Sequence, residues 1–285
     1  MADLSRRGFL QTSAGAIASS AVLSGAASST DAADGKPIST SFASAWDQTA
    51  NRVWLGPEYW TNPLQDWRVN EGRLECVNPA PNRNVQLLTR DLTEKPGKFR
   101  TSVIVGRIEG QWSAGRGSAG FRIGVRGTID DYRHHLIFGR GLDAGLSANG
   151  RLFIGPLPAK DAETIEVDRA AIELELAATP NAGEKTYPVV LTARDPETRA
   201  VLGEIQNTEI PAARLVGNIG LVANFPPAPG QGRRPNAPPP LGTGKVWFSD
   251  WKVEGEKVAA HPDRAFGPIL FNQYTLHDGV MTMTV

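Results

Sequence analysis

Apolar and polar residues alternate along much of this chain, and the alternation is most regular in the stretch 117–139. The first alternating run ends at Arg126, the second begins at Tyr132, and a turn rich in glycine and aspartate separates them. A period of two is typical of β-strands, so the stretch predicts a hairpin with one face in the core. The predicted core face consists of Phe121, Ile123, Val125, Leu136 and Phe138.

The opposite face of this predicted hairpin is cationic. It consists of Arg122, Arg126, Arg133 and His135. Alternation places His134 on the other side, where a buried, hydrogen-bonded histidine is expected. Guanidinium groups offer paired donors to carboxylate, sulfate or phosphate, and the aromatic residues Tyr59 and Trp60 of an earlier loop can stack on sugar rings. These residues form the predicted ligand site; the alternative is a solvated sheet face on which arginine stems cover apolar surface.

Segments with strand patterns lie on both sides of this stretch and are separated by turn-forming residues. They span 41–46, 52–55, 66–75 with an internal turn, 85–88, 99–108, 142–147, 151–154, 172–176, 189–193, 201–205, 216–225 and 246–253. This regular spacing predicts an all-β fold, a β-sandwich of two antiparallel sheets. The proline-rich segment 226–244 is predicted to be a long loop.

Composition excludes some classes of function. The chain has 285 residues and a formal net charge of +0, which argues against nucleic-acid binding because that requires a basic excess. The only cysteine is Cys76, so no intramolecular disulfide can form, and its sequence context predicts a buried thiol without a catalytic role. Outside the amino-terminal segment, no run approaches the ~18 consecutive apolar residues of a membrane span, so no membrane partner is predicted.

The amino end resembles a twin-arginine export signal. Ser5–Gln11 contains the arginine pair Arg6 and Arg7 followed by Gly-Phe-Leu, and a segment rich in alanine and serine comes next. We assign residues 1–35 to this signal and a linker. The resemblance implies a bacterial protein that is exported already folded to the periplasm or the cell exterior.

Several motifs resemble the concanavalin A-like and laminin-G-like jelly rolls. They are Asp66–Val69, Gly72–Glu75, Asn149–Gly155, Gly217–Leu221 and Val246–Gly255. The resemblance implies a concanavalin A-like jelly-roll sandwich over residues 40–256, a fold that serves lectins, hydrolases and passive modules. It also implies that structural calcium is possible, with Asp250 on the closing strand and Asp47 near the first strand as candidate ligands.

The tail resembles the junction that leads from such a sandwich into a PhoD-like metallophosphatase (alkaline phosphatase D). The residues that carry this resemblance are Phe266–Leu276, and we assign 257–285 to a linker and the start of a truncated following domain. The phosphatase domain itself is absent, because a dinuclear phosphoesterase needs clustered aspartate, asparagine and histidine. This chain has four histidines and none of the corresponding motifs.

Two acidic pairs leave a hydrolase open as the alternative. Glu166 and Asp168 match the first two acids of the E-x-D-x-E pattern of glycosidases on this fold, which fails at Ala170. Glu173 and Glu175 are a second pair two residues apart, on a predicted strand. Such carboxylates lie roughly 6–7 Å apart, close to the spacing of glycosidase carboxylates, although a solvated outer face explains them as well. The 3-keto-disaccharide hydrolases share a tryptophan and Gly-x-Leu pattern with this chain, without an acidic motif to support that assignment.

The sequence thus predicts an exported, non-catalytic module that binds an extracellular, anionic polysaccharide or supports a missing carboxyl-terminal phosphatase domain. The alternatives are a glycoside hydrolase of the same fold, a phosphoesterase if the chain is a fragment, and a purely structural domain.

Overall fold

The computed structural model describes residues 39–109, 116–157, 164–167, 169–183, 185–227, 244–267, 269 and 272–285. The predicted export signal with Arg6 and Arg7, the candidate acid Asp168 and most of the predicted loop 226–244 lie outside these residues.

Strands dominate the described residues. They are β1 Phe42–Ala43, β2 Tyr59–Asn62, β3 Trp67–Asn70, β4 Arg73–Cys76, β5 Arg83–Leu92, β6 Phe99–Glu109, β7 Ser118–Arg126, β8 Arg140–Ser147, β9 Leu152–Ile154, β10 Ala171–Ala178, β11 Thr186–Arg194, β12 Val201–Pro211, β13 Gly217–Asn224, β14 Lys245–Gly255, β15 Val258–Ala260, β16 Gln273–His277 and β17 Val280–Thr284. One α-helix, α1, spans Tyr132–Phe138, and short 3-10 helices span Trp46–Gln48, Leu64–Asp66, Ala212–Leu215 and Pro262–Arg264.

The strands form two large antiparallel sheets. The first has the order β12-β11-β10-β6-β14-β4-β3, with β1 also paired to β14; the second has the order β15-β5-β13-β7-β8-β9, with β2 also paired to β5. Strands adjacent in a sheet are mostly distant in sequence, as in a jelly roll. The prediction of an all-β jelly-roll sandwich of two antiparallel sheets is confirmed. The second sheet includes β15 and therefore extends beyond residue 256.

The core lies between the two sheets and is built from alternate residues of each strand. On β7, Phe121 and Ile123 are fully buried, as predicted, and each such side chain contributes about 1.5–3 kcal/mol by leaving water. Cys76 is also fully buried, and desolvation raises the pKa of its thiol to about 12. The prediction of an inert buried cysteine therefore holds.

The predicted second strand of the central hairpin is wrong, because residues 132–138 form α1. The Asp131 carboxylate accepts a hydrogen bond of 2.7 Å from the Arg133 backbone N–H and caps the helix. The pattern of apolar and polar residues over these seven positions is too short to exclude a helix, and the capping aspartate favours the helix. Two corrections follow: Phe138 is exposed, and the buried histidine is His135 rather than His134.

A β-bulge in β7 determines where α1 lies on the second sheet. The β7–β8 register shifts between Ile123 and Arg126, and Gly124 occupies the left-handed region with φ 62°. The extra residue moves Val125 out of the core cluster, where it packs against Gly139 at the end of α1. Leu136 is likewise buried outside that cluster, so α1 covers the outer face of the second sheet.

A two-stranded hairpin of β16 and β17 forms a third, separate sheet. Its cross-strand pairs Tyr274–Met283 and Leu276–Met281 place apolar side chains on one face. The other face carries Gln273, Thr275, His277, Val280, Thr282 and Thr284. All residues of both strands are exposed.

Among the described residues, none of the helices has the length and apolar character needed to cross a membrane.

Candidate functional site

Three clefts surround α1 on the outer face of the second sheet. We call them the aromatic cleft, the polar cleft and the arginine cleft. Tyr132 and Arg264 line both the aromatic and the polar cleft, and Ile137 lines both the aromatic and the arginine cleft. The clefts therefore form one groove along the helix.

The aromatic cleft has a volume of about 280 Å³. Its apolar walls are Trp60, Leu88, Tyr132, Leu136, Ile137 and Phe266. Trp60 and Phe266 meet edge to face, with ring centroids 5.3 Å apart. The guanidinium groups of Arg133 and Arg264 lie 5.0 and 4.8 Å from the centroid of the Tyr132 ring. The cleft thus combines aromatic faces with cationic donors at its rim.

Hydrogen bonds fix the orientation of Trp60. Its indole Nε1 donates to Asn62 Oδ1 at 3.1 Å, and Asn62 Nδ2 donates to the Leu136 carbonyl oxygen at 2.6 Å. The second bond ties β2 to α1. The aromatic wall is therefore preorganised, which reduces the conformational entropy that a ligand must restrict on binding.

The polar cleft has a volume of about 380 Å³ and lies beyond Tyr132. Its charged lining consists of Asp91, Glu94, Arg126, Asp130 and Arg264. The Asp91 carboxylate is held by Arg264 Nη1 at 2.7 Å and by His261 Nε2 at 3.0 Å. Carboxylate acceptors and guanidinium donors are therefore interspersed, which suits a ligand rich in hydroxyl groups.

Two buried side chains add donors to the polar cleft. Asn218 is 3% exposed, and its Nδ2 has no hydrogen-bond partner among the described residues. His135 Nδ1 accepts from the Gly127 N–H at 3.1 Å, so the neutral ring carries its proton on Nε2. Desolvation lowers the pKa of His135 and favours this neutral form, although nearby Asp130 opposes the shift.

The arginine cleft, of about 430 Å³, lies at the carboxyl end of α1. It is lined by Asn82, Arg122, Ile137, Phe138, Gly139, Arg140 and Gly141. Arg122 donates to both carboxylate oxygens of Asp143 from Nε at 2.6 Å and Nη2 at 2.8 Å, and from Nη1 to Asn82 Oδ1.

Strand register connects the walls of the groove. Across the second sheet, Trp60 is opposite Gln86, Gln86 is opposite Gly220, Gly220 is opposite Arg122, and Arg122 is opposite Asp143. This row lies on the face turned away from the core. An added Cβ at Gly220 would lie 2.7 Å from the Val85 carbonyl oxygen and 3.0 Å from the Gln86 amide, so glycine keeps the row compact.

The structure distributes the predicted ligand residues around α1. Trp60 and Arg133 line the aromatic cleft, Arg126 and His135 the polar cleft, and Arg122 the arginine cleft. Tyr59 requires a correction: it is 5% exposed and packs in the core against Trp46 and Trp251. Burial raises the pKa of its hydroxyl. Alternation along β2 turns Tyr59 inward and Trp60 outward.

Tyr132, Phe266, Arg264 and Arg140 also line the groove and were not predicted. Tyr132 was assigned to a strand, and Phe266 and Arg264 to the region following the sandwich. The Phe266 N–H donates to the Pro57 carbonyl oxygen at 2.6 Å, which fixes this segment beside β2. No local sequence signal indicates that contact, because it joins segments about two hundred residues apart in a 285-residue chain.

The candidate acids Glu173 and Glu175 lie in the first sheet, not in the groove. Glu173 pairs with Arg199, and Glu175 lies 3.7 Å from Arg100 and 3.6 Å from Arg194. Both carboxylates belong to a network of paired charges.

The candidate calcium ligands do not fit a calcium site. Asp47 is exposed and lies against the β3–β4 turn at Gly72, whereas Asp250 is exposed in an irregular part of β14. Calcium takes six to eight oxygen ligands. Within the described residues, no group of three or more His, Cys, Asp or Glu side chains is arranged to hold a metal ion.

The fold and the groove define an all-β sandwich with a ligand-sized site on the outer face of one sheet. Neither a protein-family model nor a curated protein sequence matches this chain. Solved structures with a similar arrangement include lectin I-B4 from Griffonia simplicifolia in a metal-free form, with 10% identity over 76% of this chain and 99% of that chain and a TM-score of 0.43. Another is lectin II from Ulex europaeus, with 11% identity over 75% of this chain and 97% of that chain and a TM-score of 0.42. The carbohydrate recognition domain of Emp47p has 11% identity over 75% of this chain and 94% of that chain, with a TM-score of 0.40.

Proposed function

We propose that this chain is a non-catalytic carbohydrate-binding module and that the groove along α1 holds an extracellular polysaccharide. The observation that carries the proposal is the junction of the aromatic and polar clefts at Tyr132 and Arg264. A sugar ring has an apolar face of C–H groups and an equator of hydroxyl groups. The aromatic cleft suits the first, and the polar cleft suits the second.

The polar cleft offers both kinds of hydrogen-bonding group that hydroxyls need. Asp130 and Glu94 have exposed side chains and can accept, while Asn218 Nδ2 and Arg126 can donate. Because Asn218 is buried without a partner for Nδ2, a ligand oxygen there would satisfy a donor whose isolation costs about 1–3 kcal/mol. A ligand with several hydroxyl groups therefore fits this cleft better than an apolar one.

A glycan array followed by calorimetric titration of the best polysaccharide tests the proposal. We expect Trp60→Ala to weaken binding about tenfold or more, because aromatic contacts at the centre of a site contribute most of its binding energy. Tyr274→Ala is the matched control, since Tyr274 is 65% exposed and lies outside the groove. Equal affinity of both variants, with unchanged unfolding midpoints, would contradict the proposal, as would the absence of binding to every glycan.

We further propose that the protein is exported through the twin-arginine route and acts in the periplasm or outside the cell. The amino-terminal Arg6–Arg7 pair and the absence of any need for a disulfide support this. Cell fractionation tests it: replacement of both arginines by lysine should retain the chain in the cytoplasm, and unchanged export would contradict the route.

A second role, support of a following PhoD-like metallophosphatase domain, is favoured by the hairpin of β16 and β17. Its apolar face exposes Leu276 by 61% and Met281 by 58%, and a two-stranded hairpin is marginally stable unless it packs on something. Determining the genomic sequence after the Val285 codon tests this role. The expected result is a reading frame with clustered aspartate, asparagine and histidine, and an unrelated sequence there would remove the basis for it.

A further inference from the structure

The arginine cleft is cationic and more polar than the aromatic cleft. Its charged lining consists of Arg122 and Arg140, and no carboxylate side chain lines it. The aromatic cleft also has two arginines and no carboxylate, but its lining is mainly apolar, and the polar cleft mixes both signs. The arginine cleft therefore combines two cations with room for polar groups at the carboxyl end of α1.

Arg140 is a cation without a counter-charge. It is exposed, and within the described part of the chain it has no ion pair or hydrogen bond from its side chain. Its cross-strand partner in the β7–β8 ladder is Arg126, so two like charges face each other, an arrangement that destabilises a sheet. Arg126 is compensated by Glu94 and Asp130, whereas Arg140 is not.

Arg122 provides a fixed second cation. Its side chain is 16% exposed, and its contacts with Asp143 and Asn82 use three of the five guanidinium N–H groups. The ion pair holds the guanidinium plane in one orientation. The remaining N–H groups can contribute to binding without the entropy loss of ordering a free side chain.

An apolar platform accompanies these cations. Phe138 is 68% exposed and Ile137 60% exposed, although both lie on a helix that is otherwise packed on the sheet. Ile137 also lines the aromatic cleft, so a chain-like ligand can cross from one cleft to the other over this side chain. Exposed aromatic surface beside arginine is typical of binding sites.

We propose that the arginine cleft is a subsite for an acidic sugar residue, whose carboxylate or sulfate group binds Arg140 while the sugar ring packs on Phe138. This inference rests on the proposed carbohydrate binding and specifies its substrate class as an acidic glycan. Carboxylate and sulfate groups both present two anionic oxygens on one atom, which a guanidinium group can bind with paired N–H groups, and the experiment separates them.

Calorimetric titration with polygalacturonate, dextran sulfate and uncharged dextran tests the subsite. We expect Arg140→Gln to weaken binding of at least one acidic polymer about tenfold and to leave any binding of dextran unchanged. The polymer that responds identifies the acidic group. Arg140→Lys should recover part of the affinity, because the charge remains and the paired donors are lost.

Arg214→Gln is the matched control, since Arg214 is an exposed arginine that lines none of the three clefts. Equal losses in Arg140→Gln and Arg214→Gln would show non-specific attraction and overturn the subsite. If Trp60→Ala weakens binding but Arg140→Gln does not, the subsite fails and the proposed function stands. If no polymer binds and no glycan of the array binds, both fail.

Discussion

The environment of His135 differs from the predicted one, and this difference has more consequence than that of any other residue. Sequence alternation placed it on a solvated cationic face, yet its side chain is 8% exposed, and its Nδ1 accepts a backbone hydrogen bond from Gly127. The groups that face it are Asp130, Asp131, Arg126 and His134. Burial is the dominant effect and lowers the pKa of His135 below its usual value of about 6.5.

We predict that stability falls as the pH drops below about 6.5. Since the folded pKa of His135 is depressed, the unfolded chain binds more protons in this range, and the free energy of unfolding rises with pH. His135→Asn keeps a side-chain acceptor and removes the titration. Urea denaturation at pH 7.5 and pH 5.5 should therefore show a smaller pH dependence for this variant than for the native chain.

His277→Asn is the control for this measurement, because the His277 side chain is 90% exposed. If His135→Asn and His277→Asn show the same pH dependence, His135 does not carry the effect.

At the scale of elements, the bulge in β7 and the helix that follows it create the groove. The bulge turns Val125 outward, and α1 then covers Val125 and leaves clefts around its edges. Gly124 permits the bulge: its φ is 62°, and an added Cβ would lie 2.0 Å from the Arg214 carbonyl oxygen. That atom belongs to the backbone and cannot move aside cheaply.

Gly124→Ala is therefore predicted to destabilise the protein more than a glycine substitution elsewhere. Gly183 is the comparison, because its φ is 88° and nothing lies within 4 Å of an added Cβ. Gly183→Ala should lower the free energy of unfolding by about 1–2 kcal/mol through backbone strain alone. Gly124→Ala should lower it by about 1–3 kcal/mol more through overpacking, as measured by urea denaturation. Equal losses would mean that the contact with Arg214 relaxes freely.

Most strands of the two large sheets were predictable, whereas α1 and β2, which was predicted to be part of a loop, were not. A strand such as β10 alternates over its length, and the turn after it carries asparagine and glycine. In α1 the spacing of the apolar residues fits both a strand and a helix, and the helix depends on the Asp131 cap and on the burial of Leu136. Local sequence predicted Trp60, Arg122 and Arg133 as site residues, but contacts such as that of Trp60 with Phe266 depend on the complete fold.

At the scale of the whole molecule, the region after β14 has two parts with different relations to the sandwich. Lys257 and Val258 are buried, β15 pairs with β5, and Phe266 packs on Trp60. The residues of β16 and β17, in contrast, are all exposed. The first part stabilises the sandwich, and the second does not.

Two truncations test this division. Removal of residues 268–285 should leave the thermal unfolding midpoint of the sandwich unchanged, because the hairpin strands bury no side chain. Removal of residues 257–285 should lower stability by at least about 2 kcal/mol, since Val258 leaves the core and β5 loses a partner. A drop in the midpoint on the shorter truncation would show that the hairpin contributes to folding.

Because Cys76 is buried, its chemical reactivity can be used to follow the opening of the folded chain. It is the only thiol in the chain, it is fully buried, and its raised pKa keeps it protonated in the folded state. An alkylating reagent therefore reacts with it only in molecules that have opened around this thiol. The rate at which chains gain the mass of one label then reports this opening under native conditions, without denaturant and without an engineered probe.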